Sequence, residues 1–258
     1  IQGGGKITLG SADIRMDSQN ATAIFVLNDT TKVNGLTDIV LTGQNARGVR
    51  AQGSTAKVEL EDLNVTTTAN MSRAIFANMG GRIAARNVVI NGTGQQAFGV
   101  NTQGAGTSVT LAAVRANMSG LVSRGLYAQD GSSITADYAN IATSGSNSGA
   151  LAATNASAVV TVNGGRLSSS DNGSAVLRLY NATDAGVNNP VININNVQAD
   201  GISGGRFIRS DGFSTVNAVN SVVTGNVMAN ALASGGLLTF NMDNTELTGT
   251  IAKIGRAS

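Results

Sequence analysis

The 258-residue sequence has no cysteine, no histidine, no tryptophan and a single proline. With neither thiol nor imidazole, a Ser-His-Asp or Cys-His catalytic site cannot be assembled from these residues, and the nitrogen and sulfur ligands of zinc are missing. No disulfide can staple the fold, which is compatible with a cytoplasm and equally with a surface location where stability comes from stacking. Aromatic residues make up 3% of the chain and charged residues 12%, with a net charge of +2, too small to argue for nucleic acid. No apolar run approaches the roughly 18 residues of a membrane helix. The opening residues, IQGGGKITL, carry neither an initiator Met nor a basic and then apolar leader. They read as the start of an excised or processed piece, with any export signal outside it.

What is present is glycine, 33 residues of it, and a repeat. Val58, Leu60, Leu63 and Val65 are apolar at a two-residue step that changes parity once, between Leu60 and Leu63. That pattern reads as two short strands joined by a tight corner. The next copy, Ile83, Ala85, Val88 and Ile90, lies 25 residues on, and a third strand beginning at Ile75 falls between them. Three series of anchors extend the pattern: Ile7, Val33, Val58, Ile83, Val109, Ile134, Val160; then Ile14, Val40, Val65, Ile90, Ala116, Ile141, Leu167; then Ile24, Val49, Ile75, Val100, Leu126, Leu151, Val176. Neighbours of the second series vary freely (Asp13, Asn64, Arg115), so the anchors point inward and their neighbours outward.

A period near 25 with three strands per repeat predicts an all-β, right-handed parallel β-helix, each repeat one coil stacked on the last. Roughly ten coils at ~4.8 Å each give a rod about 50 Å long. The register is unbroken, so residues 1–258 are expected to form one elongated domain, itself a fragment of a longer chain. Glycine is expected at corners that need positive φ or close backbone approach. The residue before each third-series anchor is Ala23, Gly48, Ala74, Gly99, Gly125, Ala150 or Ala175, which predicts a crowded slot. Between Val176 and Phe207 the step lengthens to 31 residues, and LYNATDAGVNNPVININNV is expected to bulge as a loop over 181–190.

Units such as KVELEDLNVTTT and SSITADYANIATSG, and the closing segment LTFNMDNTELTGTI, resemble the passenger domains of pertactin-like autotransporters of Gram-negative bacteria. The resemblance covers nearly the whole chain and rests on pattern and composition. It implies a right-handed β-helix that crosses the inner membrane and then passes through a C-terminal translocator barrel, so membrane contact comes only through that missing translocator. The chain would then be displayed at the bacterial cell surface or secreted. Members of the family act as adhesins, self-association factors, proteases or binders of host proteins.

Parallel β-helices also serve polysaccharide lyases and hydrolases, which need clustered carboxylates. Here Asp38, Asp62 and Asp137 fall at different offsets from their anchors and drift around the coil, and the three tyrosines and absent tryptophan offer few sugar platforms. Glycine-rich calcium nonapeptides are missing too, since GGRIAARN and GGRLSSSDN lack the acidic spacing. Outward Glu61 maps onto Arg86 one coil on, an exposed cross-coil ion pair. No catalytic residue, metal ligand or cofactor is assigned.

One outward face stands out. After each third-series anchor come Phe25, Arg50, Phe76, Asn101 and Tyr127, and two residues before it Thr22, Arg47, Arg73, Phe98 and Arg124. These two parallel columns combine aromatics with arginines, the residue types that dominate protein interfaces. The expected partner site is therefore Phe25, Arg47, Arg50, Arg73, Phe76, Phe98, Arg124 and Tyr127, facing solvent unless a neighbouring loop or the rest of the parent protein covers it. A host protein or extracellular matrix is the expected partner, with self-association as the alternative and no nucleic acid.

Overall fold

In the computed structural model, residues 11–171, 173–181, 188–202, 205–232 and 235–254 are described. Their regular structure is entirely β, arranged as a parallel solenoid of about nine turns with about 25 residues per turn. One sheet has ten strands, in the order Thr22–Leu27, Arg47–Gln52, Arg73–Asn78, Phe98–Gln103, Arg124–Gln129, Gly149–Thr154, Ala175–Asn181, Arg206–Gly212, Asn226–Asn230 and Ile251–Ile254. The other has thirteen, running from Ala12–Met16 through Thr37–Leu41, Lys57–Thr67, Arg82–Gly92, Ser108–Met118, Ser133–Thr143, Val159–Ser169, Val191–Gly201 and Ser214–Val219 to Leu238–Asp243. Thr30–Val33, Val222–Thr224 and Glu246–Thr248 are short pieces beside that path.

The three expected strands per coil are visible as two sheets because one strand bends without breaking. Lys57–Thr67 carries Asp62 at φ 51°, and the residues stacked on it, Asn87, Ala113 and Tyr138, repeat that left-handed conformation at φ 52°, 57° and 54°. A single left-handed residue turns the chain and flips the inward parity, which is the change seen between Leu60 and Leu63.

Inside, like stacks on like. Ile24, Val49, Ile75, Val100, Leu126 and Leu151 form one column, and Val58, Ile83, Val109, Ile134 and Val160 another, with 3% exposure or less at every position. Each such side chain contributes about 1.5–3 kcal/mol of burial.

Two expectations need correction. In the second coil Thr31, and not Val33, lies over Val58, while Ile39, and not Val40, lies beside Val65. The corner Asn34–Leu36 spends three residues where Glu61 and Asp62 spend two, so the apolar spacing slips. Further on, Leu177, and not Val176, stacks on Leu151, so Val176 and then Phe207 occupy the small-residue slot. The slot is crowded where glycine fills it: a Cβ on Gly99 would stand 2.6 Å from the Gly125 carbonyl oxygen. It opens at Phe207, which packs on Phe240 at 5.8 Å between ring centres and lies beside Gly225.

Glycine serves in both expected ways: Gly53, Gly80, Gly104 and Gly131 hold positive φ at the corner entering the thirteen-stranded sheet. At the corner entering the ten-stranded sheet, the left-handed position is held by Asn20, Asn45, Met71, Gln96, Val122 and Asn147, with φ between 54° and 61°. From Asn20 to Val122 each N–H donates to a carbonyl of the next coil at 2.7–2.9 Å, which holds the conformation without glycine. At this corner glycine serves close approach. On Gly94, Gly120 or Gly145 a Cβ would overlap the carbonyl oxygen of Ala69, Gly94 or Gly120 one coil below. Buried serines line this corner, with Ser123 Oγ donating to Gly94 O at 3.2 Å, Ser148 Oγ to Gly120 O at 3.0 Å and Ser174 Oγ to Gly145 O at 2.8 Å.

Of the expected loop at 181–190, residues 182–187 lie outside the described residues; the flanking chain resumes at Asn188 and enters Val191–Gly201 after Pro190.

Candidate functional site: an arginine and aromatic ladder

Strand alternation fixes the direction of the two columns. Ile75 and Ala77 are fully buried in the core, so Phe76 between them projects from the outer face of the ten-stranded sheet. Pairing registers place Phe25, Arg50, Phe76, Asn101 and Tyr127 in one column and Thr22, Arg47, Arg73, Phe98 and Arg124 in the other. All eight expected residues therefore share one surface.

Their exposure differs from the solvent-facing stripe expected from sequence. Phe76 is only 5% exposed, yet it lies outside the core cluster. Its ring is enclosed by the guanidinium groups of Arg73, Arg50 and Arg47 at 5.1, 5.6 and 5.7 Å from its centre. Arg50 also lies over Phe25 at 5.1 Å and Arg73 over Phe98 at 5.6 Å, while Phe98 meets Tyr127 edge to face at 5.2 Å. The side chains cover one another, so a stripe of outward residues becomes half-buried by lateral stacking.

The hydrogen bonds of Arg73 and Arg124 run to neutral groups. Arg73 Nε donates to Asn101 Oδ1 at 3.0 Å and its Nη1 to Asn45 Oδ1 at 2.8 Å. Asn101, itself buried, passes its amide hydrogens to Tyr127 O at 3.1 Å and Gln129 Oε1 at 3.0 Å. Arg124 Nη1 donates to Asn147 O at 2.8 Å and Ser123 O at 2.9 Å. Arg47 Nε is buried with no hydrogen-bond partner among the described residues.

Among the described residues no carboxylate forms an ion pair with Arg47, Arg50, Arg73, Arg124 or Arg178. Burial, with Arg47 and Arg50 close by, pushes the Arg73 guanidinium down to about 10 from 12.5. Burial and Arg178 push Arg124 down to about 9. The thirteen-stranded sheet behaves differently: Arg86 meets Glu61 at 2.5 Å as the register implied, Lys32 meets Glu59 at 3.8 Å and Arg166 meets Asp200 at 2.9 Å. Those three cations have carboxylate partners, whereas the ladder cations from Arg47 to Arg178 have none among the described residues.

No protein-family model, curated protein or solved structure matches this chain.

Two members of the ladder escaped the sequence reading. Arg178 and Arg209 continue the Phe25 column, separated from Tyr127 by Ala152. They were hidden by taking Val176 as the anchor; the alternation of Leu177 with Leu179 was the signal that would have exposed Arg178. Arg178 runs back toward Arg124 and its Nη1 also donates to Asn147 O, at 3.1 Å. Gly149 leaves room for it, since a Cβ there would meet Arg178 Cγ at 3.0 Å. Among the described residues Arg209 alone in this column has a carboxylate, Asp211 at 3.1 Å.

The carboxylates form no comparable constellation. Asp38, Asp62 and Asp137 occupy three different columns, each hydrogen-bonded by an asparagine one coil on: Asn64, Asn87 and Asn163. No group of three or more acidic, His or Cys residues suited to a metal occurs among the described residues. A cavity of about 540 Å³ lies at the C-terminal end, lined by Val227, Leu238, Phe240 and Met242, and is the apolar gap between the last coils.

Proposed function

We propose that this chain is a non-enzymatic binding rod that holds a protein partner on the outer face of its ten-stranded sheet. The observation that carries the reading is the ladder of arginines and aromatics, preassembled and half-desolvated, with no carboxylate partner from Arg47 to Arg178 among the described residues. Arginines already held by aromatic rings and amides lose little side-chain freedom on binding, so a partner that supplies acceptors gains more from each contact. In its finer form the reading is an autotransporter-type passenger, displayed on a bacterial surface or secreted, that acts as an adhesin or virulence factor toward a host protein such as a serum protease inhibitor or complement regulator. The parallel solenoid and its Gly/Asn/Ser/Thr-rich coils support that form.

The test is a pull-down from human plasma and epithelial-cell extract with the native rod and an Arg47→Ala, Arg73→Ala, Phe76→Ala variant, both folded by circular dichroism. A protein retained by the native rod and lost by the variant is the expected result. If the two retain the same proteins, or neither retains any, the face is not the binding surface.

A further inference from the structure

The ladder has internal spacing, and this narrows what it would hold, given the protein-binding reading above. Its cations gather in two clusters. In the first, Arg47, Arg50 and Arg73 surround Phe76. In the second, Arg124 and Arg178 reach from opposite sides to the same carbonyl, Asn147 O. The first is centred on the coil of Phe76 and the second on the coil of Gly149, three coils further along. At ~4.8 Å per coil the clusters are about 14 Å apart. Midway between the two cationic centres sits the Phe98–Tyr127 pair, both rings half-buried.

An extended peptide lying along the rod axis has the same rhythm. Its side chains return to one face every second residue at roughly 6.7 Å, so positions i, i+2 and i+4 span about 13–14 Å. We propose that this face takes an extended segment of a partner protein in which one apolar residue is flanked, two positions away on each side, by Asp or Glu. The carboxylates meet the two guanidinium clusters and the apolar side chain rests on Phe98 and Tyr127. Guanidinium forks bind carboxylates in pairs of parallel hydrogen bonds. The amides of Gln52, Asn78, Gln103 and Gln129, the neighbouring column, face the peptide backbone.

An anionic polysaccharide fits less well. Sugars use open aromatic faces, and the Phe76 face is already covered by guanidinium groups. A uniform polymer also has no apolar element to set between its charges.

The experiment measures binding of a labelled peptide with Glu, Leu and Glu at alternate positions to the whole chain by fluorescence anisotropy. Its Gln–Leu–Gln and Glu–Ser–Glu counterparts and a sulfated polysaccharide are run in parallel. Saturable binding of the first peptide is expected, weakened about 10- to 100-fold by either Arg73→Gln or Arg178→Gln, as loss of one charge-assisted contact implies. Arg115→Gln, on the other sheet, leaves it unchanged. Should Arg73→Gln fail to fold, Arg50→Gln tests the same cluster from a more exposed position.

Equal affinity for the Gln peptide, indifference to the arginine variants, or no saturable binding overturns the proposal. So does binding of the polysaccharide alone, which makes the face a glycan site, or a dimer of the native chain abolished by Arg73→Gln, which makes its occupant a second copy. A plasma protein captured through the ladder by a rod that ignores the peptide would sink this inference and leave the protein-binding reading standing; an empty pull-down removes both.

Discussion

Replacing Gly120 by alanine sets two effects of opposite sign against each other. Gly120 does not occupy the left-handed region, so the substitution would ordinarily stabilise the fold by about 0.4–1 kcal/mol through loss of unfolded-state freedom. Sterics oppose it. The new Cβ overlaps the Gly94 carbonyl oxygen and lies 2.6 Å from the carbonyl carbon, where ordinary contact begins at 3.4 Å. Clearing the oxygen takes a movement of more than an ångström, and Gly94 is itself stacked on Ala69 below while Gly145 sits above. Overpacking of this kind costs about 1–3 kcal/mol, and displacement strains the bonds from Ser123 Oγ to Gly94 O and from Ser148 Oγ to Gly120 O. Those bonds are worth about 0.5–1.5 kcal/mol each. The clash wins, with a net loss of about 1–4 kcal/mol. Urea unfolding followed by circular dichroism measures it as a lower midpoint with an unchanged slope. A Gly120→Ala chain as stable as the parent would refute the account of glycine as a spacer between coils.

The other predictions concern separate parts of the rod. Val122, a β-branched residue at φ 58°, should gain about 1 kcal/mol on replacement by asparagine, which tolerates that conformation; a thermal melt that moves down would count against the strain. Leu126→Ala should cost about 2–5 kcal/mol, since Leu126 is fully buried between Val100 and Leu151; a smaller loss in urea titration would mean that the coils close over the gap. Stability should rise with pH above about 9. There the folded state, with Arg124 pushed to about 9 and Arg73 and Arg178 to about 10, binds fewer protons than the unfolded chain, whose guanidinium groups titrate near 12.5. Urea midpoints at about pH 8 and about pH 10.5 compare the two conditions, and Arg124→Gln should reduce the difference. Added salt should also raise the melting temperature by screening the repulsion among Arg47, Arg50 and Arg73; a fall would mean that attraction dominates.

The period was legible because a stacked coil repeats its inward residues, and most of the aliphatic columns follow directly from that. It failed where corner length changed. One extra residue at Asn34–Leu36 misaligned Val33 and Val40, and the lengthened step near Val176 hid Arg178. Corner length follows the path of the backbone, which the apolar pattern records only indirectly. Likewise, the need for left-handed corners could be anticipated, but not that Met71 and Val122 would fill them, because the compensating bonds come from the next coil.

By itself the sequence determined a parallel solenoid, its period, the direction of most side chains and the gathering of arginines and aromatics on one face; alternation and repetition are local properties of the chain. Tertiary structure decided what that face is. Stacking brings Arg47 and Arg50 to the ring that Arg73 already flanks, and Arg124 and Arg178 to a single carbonyl, across separations of 23 to 31 residues. Coil-to-coil stacking desolvates these cations and leaves them without carboxylate partners among the described residues. A pattern of residue types shows which side chains share a face, whereas their mutual burial depends on distances that only the stacked coils fix.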